Sequence, residues 1–401
     1  MASRYGSPLA LALILLAGAV CQGSDLPYDP LPYEIYWNVA DSDPPGIDIS
    51  DYNIFPANYT QTGNSCSNPG CSSWTQGVFP TISSTGHTVN GGVPQRANLS
   101  EHLWTLARDV THWIPDPDWA GNAVLDFESW TTVWELNTGG DGEDWHSRRY
   151  LEYSLELEKE KYPDWDTEEL YLLARKNFNI SALDFFAETL RTLATLRPKA
   201  KWGFYGLPMN FNGPCDGNGT SMVCGYDSGV GKLYRQFSDE QNLVWESSTA
   251  LYPSIYLPPG RTVDENAAYV HSVIKETVRK AEDRIPVYGF HWNYYHGGKS
   301  LLNMDDLKSG LVGPYDAGAK GVVIWGSSSE RALPEFLDYV RDHMGPLARN
   351  FTEQMCKCSQ TYCHGHGRCM PSSSTNCQCY PGYSGPSCEK ADPKRLHVNS
   401  N

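Results

Sequence analysis

Short apolar runs alternate with longer amphipathic stretches over more than 300 of the 401 residues, from about residue 25 to residue 349. The runs are bounded by Gly, Pro and Asn, as strand ends usually are. They predict strands at 34–39, 123–128, 201–207, 254–257, 287–292 and 321–326. Alternation of strands and helices over this length predicts a parallel sheet and favours its closure into a (β/α) barrel.

The amphipathic stretches predict helices between these strands. The clearest begins after Asp166, which can cap the first turn while Glu169 reaches back to complete a capping box. Apolar residues then recur at helical spacing until Pro198 ends the pattern. A further helix is predicted over 329–344.

The N-terminus predicts export. Arg4 precedes an apolar run over 9–16 and a group of small residues over 17–19, which is typical of a secretory signal peptide, here 1–23. The run is too short to span a bilayer, although an anchored N-terminal helix is the alternative. No later segment reaches the roughly 18 apolar residues that a membrane span needs. We therefore expect a secreted, extracellular protein with no membrane span.

Cysteine usage agrees with export. Seven of the 12 cysteines lie between Cys356 and Cys388, a density typical of a small disulfide-stabilised module. This predicts a barrel over 24–349, a module over 350–390 and a polar tail over 391–401. Loss of Cys21 with the signal peptide would leave an odd count and an unpaired thiol, with Cys356 the first candidate; cleavage upstream of Cys21 is the alternative. Sequons compatible with glycosylated surface loops occur at Asn58, Asn98, Asn179, Asn218 and Asn350.

The charge balance excludes one class of partner. There are 31 Lys and Arg against 47 Asp and Glu, a formal net charge of −16, which argues against a nucleic-acid binder. A local basic groove for a sparsely charged anionic polymer stays compatible with this balance. With 13 Trp and 24 Tyr, a carbohydrate site is worth considering, because aromatic rings stack on sugar rings.

The stretch 122–130 carries the main chemical signal. Alternation along a strand places Asp126 and Glu128 on one face and Leu125 and Phe127 on the other. At the end of a barrel strand, the two carboxylates would lie at the mouth where catalytic loops gather. Because like charges this close ionise together only at a cost, the pair should hold a proton near neutral pH, and one member can then act as an acid.

The geometry of this pair restricts the reaction. Ordinary glycosidases place two carboxylates on opposite sides of the scissile bond, whereas Asp126 and Glu128 lie on one side. A substrate that carries its own nucleophile, such as the acetamido oxygen of an N-acetylhexosamine, removes the need for a carboxylate on the opposite side of the bond. Taken alone, an Asp-x-Glu pair is weak evidence for catalysis and favours a solvated acidic pair or a cation site.

Six segments occur in a characteristic order: Tyr36-Trp-Asn-Val39, Gly91-Gly-Val-Pro-Gln95, Asp126-Phe-Glu128-Ser-Trp130, Trp202-Gly-Phe-Tyr205, Ala250-Leu-Tyr-Pro-Ser-Ile-Tyr256 and Gly321-Val-Val-Ile-Trp325. Together they resemble the animal and venom hyaluronidase family. The resemblance implies a distorted (β/α) barrel and retaining endo-hydrolysis of β-1,4 N-acetylhexosaminidic bonds in hyaluronan, with chondroitin as a second substrate. It implies no cofactor and no metal, and we expect a monomer.

The resemblance also implies residue roles. Glu128 is the general acid and then the base, and Asp126 shares its proton and orients the acetamido group. The substrate-binding residues would be Tyr205 and Tyr256 at the acetamido group, Trp325 behind its methyl, and Trp130. The chain departs from the family at Thr131, where an arginine that could face substrate carboxylates is usual.

The spacing Cys358-x4-Cys363-x5-Cys369-x7-Cys377-x-Cys379-x8-Cys388 resembles an epidermal-growth-factor-like module. Spacing alone leaves 15 connectivities open. The resemblance implies the pairs Cys358–Cys369, Cys363–Cys377 and Cys379–Cys388; in the barrel, Cys215–Cys224 fits a pair of the hyaluronidase family, and we also expect Cys66–Cys71. The motif His364-Gly-His366 is interpreted as a turn inside a disulfide loop rather than as a metal site.

Two other functions remain as alternatives to a secreted hydrolase. One is a catalytically weak or silent glycosaminoglycan-binding or matrix protein on the same fold. The other is a chitinase-like enzyme, which the absence of the longer acidic strand motif of such barrels disfavours.

Overall fold

The structure is a computed structural model that describes residues 31–39, 44–56, 60–63, 77–139, 146–209, 226–297, 300–327, 329–370 and 373–391. Several predictions made from the sequence lie outside these residues: the signal peptide with Cys21, the pairs Cys66–Cys71 and Cys215–Cys224, and the sequons at Asn58 and Asn218.

The strands follow one another along the chain as β1 (Glu34–Val39), β2 (Phe55–Pro56), β3 (Thr60–Gly63), β4 (Thr81–Ile82), β5 (Thr88–Val89), β6 (Asn122–Asp126), β7 (Lys201–Phe204), β8 (Tyr288–Trp292), β9 (Gly321–Gly326), β10 (Gly367–Met370), β11 (Ser373–Cys379), β12 (Tyr383–Ser384) and β13 (Lys390–Ala391). The helices are α1 (Leu99–Trp113), α2 (Arg149–Lys161), α3 (Thr167–Leu196), α4 (Gly229–Glu240), α5 (Asn242–Ser247), α6 (Val263–Ala281), α7 (Met304–Leu311), α8 (Gly313–Asp316), α9 (Pro334–Tyr339) and α10 (Gly345–Tyr362).

Parallel strands form the barrel. One sheet has the order β2-β1-β9-β8 and a second has the order β3-β6-β7. Single-residue parallel bridges in the segment 251–254 join β7 to β8. The predicted strand at 254–257 is therefore wrong as a regular strand; Pro253, which has no N–H to donate, interrupts the ladder there. The barrel fold predicted from the sequence is confirmed.

Side-chain alternation on β6 divides the core into two layers. Val124 faces the inside of the barrel, where it packs with Tyr252, Tyr288 and Phe290. Leu125 belongs to the larger core outside the barrel. Asp126 follows on the inner face, as the period of two requires.

Helix α3 supplies much of the outer layer. It is capped by Asp166, and the predicted capping box with Glu169 is confirmed. Its inward side buries Phe178, Phe186 and Leu190. The rings of Phe178 and Phe186 contact Phe127 and Trp130, so α3 packs against the segment that directly follows Asp126.

The predicted helix at 329–344 differs in the structure. Pro334, which is favoured in a first helical turn, begins α9, and a π-helical turn at Val340–Met344 leads directly into α10. Helix α10 continues across position 349, where the composition of the sequence changes.

The C-terminal module is held by three disulfides, Cys358–Cys369, Cys363–Cys377 and Cys379–Cys388. This is the connectivity that the growth-factor resemblance implies. Arg368 anchors the module to the barrel: its guanidinium lies 3.8 Å over the Tyr315 ring, and its Nη1 donates to the Ala319 carbonyl at 2.9 Å. The Tyr315 hydroxyl donates in return to the Cys369 carbonyl at 2.7 Å.

Two expectations need correction. Cys356 is disulfide-bonded, so it is not an unpaired thiol. Among the sequons, Asn179 and Asn350 lie in helices α3 and α10 rather than in loops, because the apolar periodicity of those segments is helical.

Within the described ranges, no helix combines the length and apolarity that crossing a membrane requires.

Candidate active site

A cavity of about 340 Å³ opens at the carboxyl-terminal ends of the barrel strands. The residues that line it come from the ends of β6, β8 and β9 and from the segments after β7 and around 251–256. They are Asp126, Glu128, Tyr205, Tyr256, Phe290, Trp292, His296, Gly297 and Trp325. Five of these nine residues were predicted from the sequence.

Asp126 and Glu128 lie together on the wall formed by β6. Solvent reaches Glu128 through the open mouth of the cavity. The protein atoms around the carboxyl, and then the charge of Asp126, raise the pKa of Glu128 to about 7. Glu128 can therefore hold a proton near neutral pH and still release it, as a general acid must.

The backbone around Glu128 is fixed by a neighbouring loop. The N–H of His146 donates to the Glu128 carbonyl at 2.7 Å, and the N–H of Ser147 donates to the Ser129 carbonyl at 3.3 Å. On the outer side, Phe127 stacks on Phe79 with ring centroids 4.5 Å apart. The acid thus stands on a segment that is held from both sides.

Two tyrosines face the acids. Tyr205 follows β7, and its hydroxyl donates to the Ser254 hydroxyl at 3.4 Å. Burial, together with the negative charge of Glu128, raises the pKa of Tyr205, so this phenol stays neutral and able to donate a hydrogen bond. The Tyr256 ring lies 6.2 Å from that of Tyr205, between it and the tryptophans.

An aromatic wall made of Tyr256, Trp292 and Trp325 closes one side of the cavity. The rings of Trp292 and Trp325 meet edge to face at 5.1 Å, and Tyr256 lies 5.8 Å from each. Flat aromatic surfaces that remain partly exposed are suited to stacking against the apolar faces of sugar rings.

The residues that sequence reasoning missed are Phe290, Trp292, His296 and Gly297. A signal for Trp292 was present: it is the last residue of the predicted strand 287–292, as Glu128 is the last residue of the predicted strand 123–128. His296 and Gly297 lie in an irregular segment, and no period in the sequence points to them.

Trp130 does not lie in this cavity, and its assignment as a substrate-binding residue disagrees with its position. The indole is fully buried and donates to the Pro80 carbonyl at 2.8 Å. It packs against Phe127 and Phe186 at 4.9 and 5.1 Å between ring centroids. The strand alternation ends after Glu128, so the next residues turn toward the outer layer.

Thr131 is buried as well, so this side chain does not face a substrate. Its backbone N–H donates to Asn137 Oδ1 at 2.9 Å. The departure from the family at this position therefore changes the packing beside the site rather than the surface of the cavity.

The arrangement is suited to acid catalysis on a sugar chain. It combines a carboxyl of raised pKa beside an acidic neighbour, phenol hydroxyls opposite, and an aromatic wall. In the part of the chain that is described, no cluster of His, Cys, Asp and Glu has the arrangement of a metal site.

The sequence profile of the hyaluronidase family, glycoside hydrolase family 56, matches residues 73–376. Hyaluronidase-3 of Homo sapiens is 32% identical over 345 residues, which are 79% of this chain and 80% of the relative. Hyaluronidase-1 of Homo sapiens is 32% identical over 308 residues, 74% of this chain and 68% of the relative.

Solved structures agree with the sequence relatives. Bee venom hyaluronidase superposes with a TM-score of 0.66 at 26% identity, covering 79% of this chain and 99% of that chain. The same enzyme in complex with a hyaluronic acid tetramer gives a TM-score of 0.66 at 26% identity, over 79% of this chain and 98% of that chain.

Proposed function

The chain belongs to the hyaluronidase family of glycoside hydrolases, and from this premise we propose that it hydrolyses hyaluronan at the cavity around Glu128. The observation that carries the proposal is the placement of Asp126 and Glu128 side by side in a cavity that Tyr205, Tyr256 and the aromatic wall also line. In that place, the surrounding protein atoms and then the charge of Asp126 raise the pKa of Glu128 to about 7. A carboxyl with this pKa can donate a proton and take one back within a single turnover at mildly acidic pH.

Glu128 acts first as the acid. Its proton passes to the glycosidic oxygen as the bond from that oxygen to C1 of the N-acetylhexosamine breaks. The leaving chain then departs as an alcohol, and Glu128 remains as a carboxylate. That carboxylate next removes a proton from the water that attacks C1, which restores the starting protonation state.

The nucleophile in the first step is the substrate's own acetamido oxygen. Asp126 and Glu128 share one wall of the cavity, and the described lining residues include no carboxylate on another wall. Attack by the acetamido oxygen on C1 forms a cyclic intermediate, and water opens it from the face that the leaving group vacated. Two displacements at C1 give net retention of configuration.

Asp126 and the tyrosines orient this internal nucleophile. The Asp126 carboxylate accepts a hydrogen bond from the acetamido N–H, so the carbonyl oxygen turns toward C1. Tyr205 and Tyr256 contact the same group from the opposite side, and Trp325 lies behind its methyl. Correct placement of a reacting group within a site contributes a large part of the rate acceleration in enzymes.

The test is a reducing-end assay of the purified full chain on hyaluronan over about pH 4 to 8. Glu128→Gln should lower turnover by about a thousandfold or more, because it removes the proton but keeps the shape. Glu353→Gln is the matched control, an exposed glutamate in an ion pair on α10, and should act like the parent. Unchanged turnover by Glu128→Gln would contradict the assignment.

The same assay separates the alternatives. Saturable binding of hyaluronan by the parent without release of reducing ends would indicate a binding protein instead.

We extend the proposal to chondroitin, whose N-acetylhexosamine carries the same acetamido group. We also extend it to an extracellular site of action, which the disulfide-rich module fits. Proton NMR of the first products should show the β-anomer; an initial α-anomer would contradict retention.

A further inference from the structure

Glu330 lies behind the aromatic wall, and no step described above uses it. It is half-buried in the turn that follows β9. One of its oxygens, Oε2, accepts hydrogen bonds from the indole Nε1 of Trp292 at 3.1 Å and from the backbone N–H of Ser327 at 3.1 Å. A single carboxylate thus holds a side chain at the end of β8 and the backbone just after β9.

The space for this carboxylate depends on Gly326. A Cβ built on Gly326 would lie 3.3 Å from Glu330 Oε2 and 3.0 Å from Val39 Cγ1. Both separations are tighter than ordinary van der Waals contact, so a larger residue would push the carboxylate away from Trp292. The turn itself is closed by the Glu330 N–H, which donates to the Ser327 carbonyl at 3.1 Å.

The bond to Nε1 sets the rotation of the indole. Packing against Trp325 restrains one edge of the Trp292 ring, at 5.1 Å and 77° between ring planes. Without an acceptor for Nε1, the ring could turn about its last torsion, which is broad for tryptophan. A turned ring would present its edge rather than its face to a sugar.

We propose that Glu330 is a positioning residue, which holds Trp292 in the orientation that stacks on the polysaccharide in the cavity. The inference rests on the proposed function in one respect: the polysaccharide must bind in this cavity. Glu330 itself does not touch the sugar, and its effect passes through the indole.

Binding without turnover tests this directly. The full chain with Glu128→Gln is titrated with a hyaluronan octasaccharide by calorimetry and by tryptophan fluorescence. Addition of Glu330→Ala should weaken binding about tenfold, the loss expected when a charge-assisted hydrogen bond no longer holds a contact residue. Glu330→Gln, whose amide oxygen can still accept from both N–H groups, should recover most of the affinity. Glu335→Ala, an exposed change in the same region, should match the parent.

A second background separates positioning from a general structural role. In Trp292→Phe, which has no N–H to hold, Glu330→Ala should cause no further loss of affinity. An additive loss would overturn the inference, and so would equal affinity of Glu330→Ala and its parent. Failure of the Glu128→Gln parent to bind would overturn the proposed function first, and the inference with it.

Discussion

The two ends of the barrel each hold a glutamate, and the two glutamates have opposite electrostatic surroundings. At the amino-terminal end of β1, Glu34 forms an ion pair with Lys320 at 3.3 Å. It also accepts hydrogen bonds from the hydroxyls of Tyr36 and Tyr288, each at 2.8 Å. At the carboxyl-terminal end of the barrel, Glu128 faces Asp126, a second acid.

The pKa values follow the neighbours rather than burial alone. Burial by itself would raise the pKa of Glu34, but the Lys320 ammonium and the two phenol hydroxyls hold it below its ordinary value. For Glu128, burial and a like charge act in the same direction and raise the pKa to about 7. The sign of the charge beside each carboxyl thus decides whether it stays ionised, as Glu34 does in its ion pair, or can hold a proton near neutral pH, as Glu128 can.

This division agrees with the logic of (β/α) barrels, in which one end stabilises the fold and the other carries the chemistry. The C-terminal module lies near the stabilising end. Its Tyr380 ring is 5.9 Å from the Lys320 ammonium, so the module also helps to cover the ion pair.

The largest expected effect is on the ion pair. Lys320→Met would leave Glu34 without its ion-pair partner, and breaking a largely buried pair from one side lowers the free energy of unfolding by about 3 kcal/mol. Urea denaturation at pH 7 measures this loss. Adding Glu34→Gln should recover part of it, since no buried charge then remains. A loss under about 1 kcal/mol would show that the two ends do not differ in this way.

The next largest effect is on catalysis, at the carboxyl-terminal end of the barrel. Asp126→Asn removes the like charge, so the pKa of Glu128 falls and the alkaline limb of the kcat/KM profile moves to lower pH. We also expect kcat to fall about a hundredfold, because the acetamido group loses its charged partner. Asp118→Asn, an exposed acid paired with Lys199, is the control. An alkaline limb that stays in place would show that Asp126 does not set the pKa of Glu128.

The residues at the carboxyl-terminal end of the barrel, around Glu128, were easier to predict from the sequence than those at the amino-terminal end, around Glu34. Strand alternation was enough to place Asp126 and Glu128 on one inner face, since a period of two does not depend on distant residues. The capping box of α3 was predicted for a similar reason, because its two residues are three positions apart.

The pairing of Glu34 could not be predicted in that way. Its partner Lys320 lies one residue before β9, and the two meet because β1 and β9 are paired strands of the barrel. Trp130 is the converse case, a residue that sequence reasoning placed in the site and that the structure places elsewhere. It belongs to a segment that resembles a catalytic motif, yet the chain turns after Glu128, and the ring enters the outer core.

The smallest expected effect is on stability at the chemical end, and its sign is opposite to that at the stabilising end. An acid whose pKa rises from 4.5 to about 7 on folding keeps a proton that the unfolded chain releases, so the free energy of unfolding falls as the pH rises through this range. Glu128→Gln does not titrate and should escape this loss.

Each pKa unit corresponds to about 1.4 kcal/mol, and solvent in the open cavity screens part of it, so we expect Glu128→Gln to gain about 1 to 2 kcal/mol over the parent above pH 7. At pH 4 both states of the parent are protonated, and the gain should vanish. The pKa of Glu34 is lowered instead, so its contribution to stability is present above the ordinary carboxyl pKa and is lost as the pH falls. Denaturation of Glu34→Gln should therefore show a loss at pH 7 that shrinks toward acid. If both variants changed stability in the same direction at neutral pH, the electrostatic contrast between the two ends would be wrong.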